Sequence, residues 1–410
     1  SDTAHSPMTA TVARPLEGLR VLDFSNMLAG PYCGRWLADL GADVIKIESP
    51  EGDPMRNRPP LRHAHSAYFG HVNCGKRSMV LDLKKPEPAD IGRSLAAKCD
   101  VMLEGFRPGV MQRFGLDYAS LQSLCPSLVY CSISGYGQEG PLAESPAYAA
   151  IVHATSGFDE AWRASQTNQS QPPTCGVQIA DVLAGSFATM AIQTALLARQ
   201  TSGRGQHVDL SLMEGMLTLM RLEIVQAQFP EDARRAQYRP IRAADGYIIV
   251  TPITPKNFLD LCVGIGRPEF RTDPRFADPL DRVVNWDSLI AEVEDWSSKL
   301  SSAECLERLD RAGVPASRHS TVADALRSPQ LAERDFFGKA RDGAGDFTIA
   351  SLPFRLNGEP ARASEVPRVP RLGEHTREIL ERLLGKDSAD VQRLVAEGVV
   401  RLCEPATAEV

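Results

Sequence analysis

The strongest constraint in this chain is the run Val182–Ala198, whose only polar side chains are Ser186, Thr189, Gln193 and Thr194. It is rich in Ala, holds neither Pro nor charge, and is preceded directly by the carboxylate of Asp181. Such a run reads as a buried helix, and the rest of the chain must build an apolar layer around it. It ends near Arg199, before the turn Ser202-Gly203-Arg204-Gly205, and is too short and too often interrupted for a comfortable bilayer span. Asp181 then stands at or next to the N-cap, where its oxygens can take free backbone N–H groups and the helix dipole favours negative charge. Both effects lower a carboxyl pKa, so the expectation is an ionised Asp181. An ionised carboxylate at the mouth of an apolar pocket is a candidate nucleophile; the plainer alternative is a structural cap.

Ahead of that run, strand and helix patterns alternate. Leu19–Phe24 reads as a strand, Pro31–Leu40 as a helix closed by Gly41, and Asp43–Glu48 as the next strand. Further strands are expected at 78–83, 101–104, 128–133 and 206–212, with helices between them. This βαβ texture predicts an α/β protein with a Rossmann-like parallel sheet. No G-x-G-x-x-G follows the first strand, which points away from a dinucleotide. A single helix is expected over Glu214–Ala227 and another over Glu374–Leu384. The expected organisation is a disordered lead (1–14), a large ligand-binding α/β domain (15–227), a linker with a smaller α+β domain (228–331), and a return to the large domain (332–410).

Composition limits the partners. A net charge of −7 over 410 residues argues against nucleic acid or an anionic membrane as partner, so any anionic ligand must meet a local basic cluster. Two basic stretches stand out: the Pro- and Arg-rich loop Ser49–Ser66, with Arg56, Arg58 and Arg62, and Lys76-Arg77. The nine cysteines are scattered without a CxxC pair, which fits reduced thiols in a cytoplasmic protein and offers no metal framework. His153 and His207 read as satisfied core histidines.

Six ordered motifs carry a resemblance: Pro15–Phe24, Leu40–Glu48, Asn73 with Lys76-Arg77-Ser78, Gly135-Tyr136-Gly137, Gly203–Gln206 and Leu372–Thr376. Together they resemble the class III CoA-transferases, a family that also holds carnitine CoA-transferase and α-methylacyl-CoA racemase. The resemblance spans roughly Pro15–Arg401. It implies coenzyme A as co-substrate with no tightly bound cofactor, small carboxylic acids as the other substrates, and an interlocked homodimer. It also implies Asp181 as the catalytic carboxylate, acylated to a mixed anhydride and then converted to an aspartyl-CoA thioester. By position in the family motifs, Met27, Leu28 and Ala29 resemble the lining of the pantetheine channel. Leu81, Lys84, Phe106 and Arg113 resemble the nucleotide end of the site, and Tyr136 is expected either near the thioester or as an aromatic packed in its turn. Ser49 stands where many members of the family carry Arg.

Within the family, the racemase needs a base and an acid on opposite faces of the α-carbon. Tyr148 and Ala149 occupy the place of the racemase's His-Asp, and a neutral Tyr is a poor base near pH 7. The transferase reading is preferred, with racemase or an inert CoA-binding protein as the alternatives. No run of four glycines follows Gln228, which turns the reading away from formyl and oxalate substrates and towards succinyl-CoA or a similar dicarboxylic donor. Arg239 and Arg242 are the candidates for a distal carboxylate, with an ordinary surface charge as the alternative for each.

Overall fold

The computed structural model describes residues 14–85, 87–166, 169–230 and 237–403. The expected lead, Arg14 apart, and the middle of the expected linker lie outside the described residues. The chain divides into two compact units, one of Ser1–Arg221 with Ala332–Val410 and the other of Leu222–Leu331.

The first unit is built on six strands: β1 (Arg20–Asp23), β2 (Asp43–Glu48), β3 (Arg77–Val80), β4 (Val101–Glu104), β5 (Val129–Ser134) and β6 (His207–Ser211). They lie in the order β3-β2-β1-β4-β5-β6, every neighbouring pair parallel. The helices that position the site are α1 (Ala29–Asp39), α2 (Ala67–Asn73), α3 (Pro88–Ala96), α4 (Ala149–Thr155), α5 (Ile179–Ser202) and α6 (Leu212–Leu219). Parallel strands need covered faces, and the inner strands are accordingly buried almost throughout. One apolar layer joins Val21, Val44, Val101, Val129 and Cys131 to the inner stripe of α5. The opposite layer joins Leu22, Ile45, Met102 and Tyr130 to α3 and to the returning C-terminal helices.

This strand order is that of a doubly wound Rossmann sheet, whose ligands sit beyond the carboxyl ends of the strands where the winding reverses. Here the reversal falls between β1 and β4. The loop after β1 (Phe24–Leu28) and the loop after β4 (Gly105, Phe106) therefore frame the crevice. Phe24 N–H donates to Leu103 O at 2.7 Å, which ties the start of the first loop to β4.

Two expected helices differ from the structure. The segment 214–227 is two helices, α6 and Arg221–Gln228, separated at buried Met220, whose backbone leaves the helical region (φ −94°, ψ 47°). Its apolar pattern runs through the break without a marker. After Gly373 the helix begins only at Thr376 and runs into a π turn at Ile379–Leu383.

The second unit has its own core. A three-stranded antiparallel sheet, β7 (Ile241–Ala243), β8 (Gly246–Val250) and β9 (Ala316–Arg318), carries the expected Asp245-Gly246 hairpin. Helices α7 (Pro255–Gly264), α8 (Trp286–Ser297) and α9 (Ser302–Ala312) pack on it through Phe258, Leu261, Leu289 and Leu309.

Candidate active site

Asp181 occupies the first turn of α5, three residues after the cap residue Gln178. The helix is amphipathic rather than fully buried: Ala180, Ala184, Ala188 and Ile192 are sealed in the core, whereas Met190 and Leu197 are exposed. It is also long and apolar enough to cross a membrane, yet that inner stripe packs against α1 and the sheet. The expectation of a capping carboxylate fails. No side chain caps α5, and the first-turn N–H of Ala180 donates instead to His153 Nε2 at 3.1 Å. His153 is thereby a buried, satisfied histidine, and burial holds its pKa below the ordinary value.

Released from capping, the Asp181 carboxylate makes no hydrogen bond or ion pair among the described residues. Burial pushes its pKa up to about 6, opposite to the direction expected from the helix dipole. The dipole's contribution of less than about 1 kcal/mol is outweighed by the cost of removing a carboxylate from water.

The β1–α1 turn is pressed against this helix. A Cβ at Gly185, one helical turn beyond Asp181 on the same face, would stand 2.7 Å from Ala29 O and 2.9 Å from the Tyr32 ring. Under the turn lies a buried charge network. Lys46 Nζ pairs with Asp53 at 2.9 Å and donates to Ser25 O at 2.8 Å. Asp53 Oδ1 accepts from Met27 N–H at 3.3 Å, and Met27 itself is held at φ 67°, a conformation that costs energy in a non-glycine residue. Beside them Lys76 Nζ pairs with Asp23 at 2.9 Å and donates to Asn73 Oδ1 and Pro31 O, also at 2.9 Å. Burial alone would raise the Asp23 carboxyl, but Lys76 and Lys46 hold it below its ordinary value. The Pro31–Asp39 part of α1 crosses directly over this pair, where a Cβ at Gly34 would meet Asp23 Oδ2 at 2.7 Å. Lys76 is therefore structural, and so is Arg77, bound to Asp43 at 2.6 and 2.8 Å.

With this geometry in view, known proteins decide the family. The profile of CoA-transferase family III matches residues 16–376. Among curated proteins, the chain is 37% identical to the acetyl-CoA:oxalate CoA-transferase of Acetobacter aceti over 374 residues, covering 88% of this chain and 93% of that one. It is 33% identical to the succinyl-CoA–D-citramalate CoA-transferase of Chloroflexus aurantiacus over 401 residues, covering 94% and 98%. Among solved structures it resembles a CAIB/BAIF family protein from Brucella suis, with a TM-score of 0.78 at 33% identity and coverage of 90% and 100%. The chain belongs to CoA-transferase family III.

A family III CoA-transferase handles an acyl-CoA thioester and a carboxylic acid, and the remaining expected site residues divide accordingly. Met27, Leu28 and Ala29 line the carboxyl end of β1 at the reversal of winding, and Phe106 follows β4 on its other side, its N–H donating to Glu104 Oε2 at 2.9 Å. Lys84 and Arg113 are exposed, without a side-chain hydrogen bond or ion pair among the described residues. Leu81 differs from expectation: it is sealed in the core layer with Ile91 and Leu95, so its side chain supports the loop from below. Tyr136 follows β5, its hydroxyl 3.5 Å from Thr155 Oγ1 of α4. Arg239 stands 3.9 Å from Asp287, and Arg242 is an exposed residue of β7.

Sequence reasoning overlooked Tyr68, in the first turn of α2. Burial raises its pKa, the Asp181 carboxylate raises it further, and Arg58 acts in the opposite sense. An aromatic hydroxyl just after the Pro- and Arg-rich loop was the available signal.

Proposed function

We propose that this CoA-transferase moves CoA from a small dicarboxylic acyl-CoA, of the succinyl-CoA kind, to a carboxylic acid through covalent intermediates on Asp181. An Asp181 oxygen attacks the thioester carbonyl, the C–S bond breaks, and CoA leaves as its thiolate, giving a mixed anhydride. The thiolate attacks the aspartyl carbonyl, releasing the donor acid as its carboxylate and leaving an aspartyl-CoA thioester. The acceptor carboxylate then displaces CoA thiolate from Asp181, and the thiolate takes the new acyl group, returning the free carboxylate. Each exchange trades one activated acyl bond for another, so no further energy source enters.

The observation that carries this reading is the lone, poorly solvated Asp181 carboxylate beside the crevice of the sheet. A cap or salt bridge would have tied down its lone pairs; burial leaves it reactive, and with a pKa near 6 it is still largely ionised at pH 7. The Chloroflexus relative, named for succinyl-CoA and D-citramalate, supports a dicarboxylic donor, while the Acetobacter relative, named for acetyl-CoA and oxalate, supports a dicarboxylic acid on the acceptor side only. The lack of a tetraglycine run therefore gives no ground for setting oxalate aside. A homodimer is part of the proposal, supported by the exposed apolar side chains of Met190 and Leu197 on α5 and of Tyr148 and Ile151 around α4. Intact-protein and peptide mass spectrometry after mixing with acyl-CoA tests the mechanism. An acyl or CoA adduct on the Asp181 peptide is expected, and turnover without one would refute it.

A further inference from the structure

The first N–H groups of a helix have no partner within it, so the start of α5 must find acceptors elsewhere. Ile179 N–H turns back to Val177 O at 2.9 Å, and Val182 N–H donates to Gln178 O at 3.1 Å. Between them, Ala180 N–H leaves the helix and donates to His153 Nε2 at 3.1 Å. The next residue is Asp181, whose carboxylate makes no hydrogen bond among the described residues and is disturbed by burial alone. That runs against local preference. Asp side chains readily bond neighbouring backbone N–H groups, and the positive end of a helix dipole draws a carboxylate the same way.

The imidazole is fixed by its packing. His153 is 2% exposed on α4, and its neighbours Ala149 and Val152 share one apolar layer with Ala180 and Ala184 of α5. Its ring centroid lies 5.4 Å from that of Phe158, at the start of the next helix, Phe158–Ala164. Because Nε2 accepts, the proton of the neutral ring sits on Nδ1. An imidazolium would set one N–H against another at the positive end of α5. Burial disfavours it too, and outweighs the carboxylate of Asp159 on the Phe158–Ala164 helix. The ring therefore remains an acceptor at neutral pH.

We propose that His153 is the positioning residue of the nucleophile: its Nε2 occupies the helix-end donor that would otherwise bind the Asp181 carboxylate, and so leaves both carboxylate oxygens free for the thioester carbonyl; this rests on the transferase reading above. The role is exercised through the Ala180 N–H, with no proton passed to substrate. A backbone N–H bonds a carboxylate more strongly than a neutral imidazole, so without His153 the Ala180 N–H recruits Asp181. A purely structural histidine would alter stability alone. A positioning one also sets the proton affinity and the reactivity of the carboxylate beside it.

The test is a set of thermal melts between pH 4 and 8, comparing Asp with Asn at position 181 in wild type, His153→Gln and His153→Phe. In wild type, Asp181→Asn should melt higher at pH 7 to 8, because a buried charge is gone. His153→Gln keeps an acceptor in its side-chain oxygen and should keep that gain. His153→Phe keeps a ring against Phe158 but has no acceptor; Asp181 then turns to the Ala180 N–H, its pKa falls, and the gain should vanish or reverse. Single-turnover acylation at pH 7 to 8 should fall on the order of 10- to 100-fold in His153→Phe, with little change in KM for acyl-CoA, and His153→Gln should recover most of it. A gain that persists in folded His153→Phe overturns the proposal, as does a wild type in which Asp181→Asn gains nothing. Should His153→Phe not fold, nitrogen-15 spectra of the histidines decide, with the His153 signal assigned by its loss in His153→Gln. A proton on Nδ1 supports the proposal, and one on Nε2 rejects it. If wild type turns over while Asp181 is never modified, the transferase mechanism fails instead, and the melts still decide what holds the carboxylate.

Discussion

The carbonyl oxygen of Ala29 would stand 2.7 Å from a Cβ placed at Gly185, so the β1–α1 turn and the nucleophile's helix touch through a glycine that no other residue can replace without movement. Alanine would improve helix propensity by about 1 kcal/mol, but its methyl meets backbone oxygen at 2.7 Å and the Tyr32 ring at 2.9 Å, so backbone as well as side chain must shift. Overpacking at such a contact costs about 1–3 kcal/mol and wins over propensity. Gly185→Ala is expected to lower the Tm by a few degrees, and Gly185→Val by more. A thermal melt in which Gly185→Ala matches or exceeds wild type would show that the turn can shift freely.

The raised pKa of Asp181 predicts two linked pH profiles. With a folded value of about 6 against about 3.9 unfolded, the folded state binds more protons between these values, so stability falls as pH rises through that window. The cost is fully present above pH 6 and amounts to about 2–3 kcal/mol. Asp181→Asn removes it: this variant is expected to melt higher than wild type at pH 7 to 8 and at the same temperature near pH 4, while transfer activity disappears. In wild type, single-turnover acylation should fall about tenfold per pH unit below 6 and level off above it. A carboxylate held by a cap would show the opposite stability sign.

How much of this was legible beforehand differs between elements for physical reasons. β2 and β4 were readable to the residue, because each is a short run dominated by Val, Ile, Leu and Met and bounded by turn residues. That a helix starts around Asp181 was readable too, but neither its exact start, at Ile179 rather than after the carboxylate, nor the protonation of Asp181 was. The sequence shows a carboxylate at a helix start; only the fold shows His153, 28 residues earlier in the chain, taking the N–H of Ala180 that a cap would have used. Leu81 shows what a family position leaves open: it says which loop approaches a ligand, not which way a side chain turns, and here the side chain turns into the core. The role of Arg62 was likewise invisible, since its partners Asp342 and Gly345 lie about 280 residues downstream.

The Lys46–Asp53 pair offers a test of how the crevice is held. Both side chains are fully buried, and Asp53 is also the acceptor for the N–H of Met27 in its left-handed conformation. Removing one partner strands a buried charge, which costs about 3–5 kcal/mol. Lys46→Met and Asp53→Leu are each expected to be strongly destabilised, whereas the double variant should recover much of the loss because no charge is left unpaired. The double variant should still bind CoA more weakly, since the Met27 N–H has lost its acceptor. Additive losses in denaturant melts would mean that the two charges are solvated rather than coupled.

Leu81 and Lys84 lie on the loop after β3 and Arg113 ends the short helix Val110–Arg113 that follows β4, yet the structure gives them opposite settings. Lys84 and Arg113 are exposed and without a hydrogen bond or ion pair among the described residues, so truncating either removes no contact that holds the fold. Leu81 is 1% exposed and packed among Ile91 and Leu95, so truncating it opens a cavity. If the two cations meet the phosphates of CoA, Lys84→Ala and Arg113→Ala should each raise KM for acyl-CoA roughly tenfold, the scale of one charge-assisted hydrogen bond, while the Tm stays within about 1 °C. The effect should shrink as ionic strength rises, because exposed phosphate contacts are screened. Leu81→Ala should instead lose about 2–5 kcal/mol of stability. At temperatures where the Leu81 variant remains folded, its KM should change less than that of either cation variant. A KM effect confined to Leu81→Ala would place the nucleotide on the other side of the loop, towards the core that this leucine now fills.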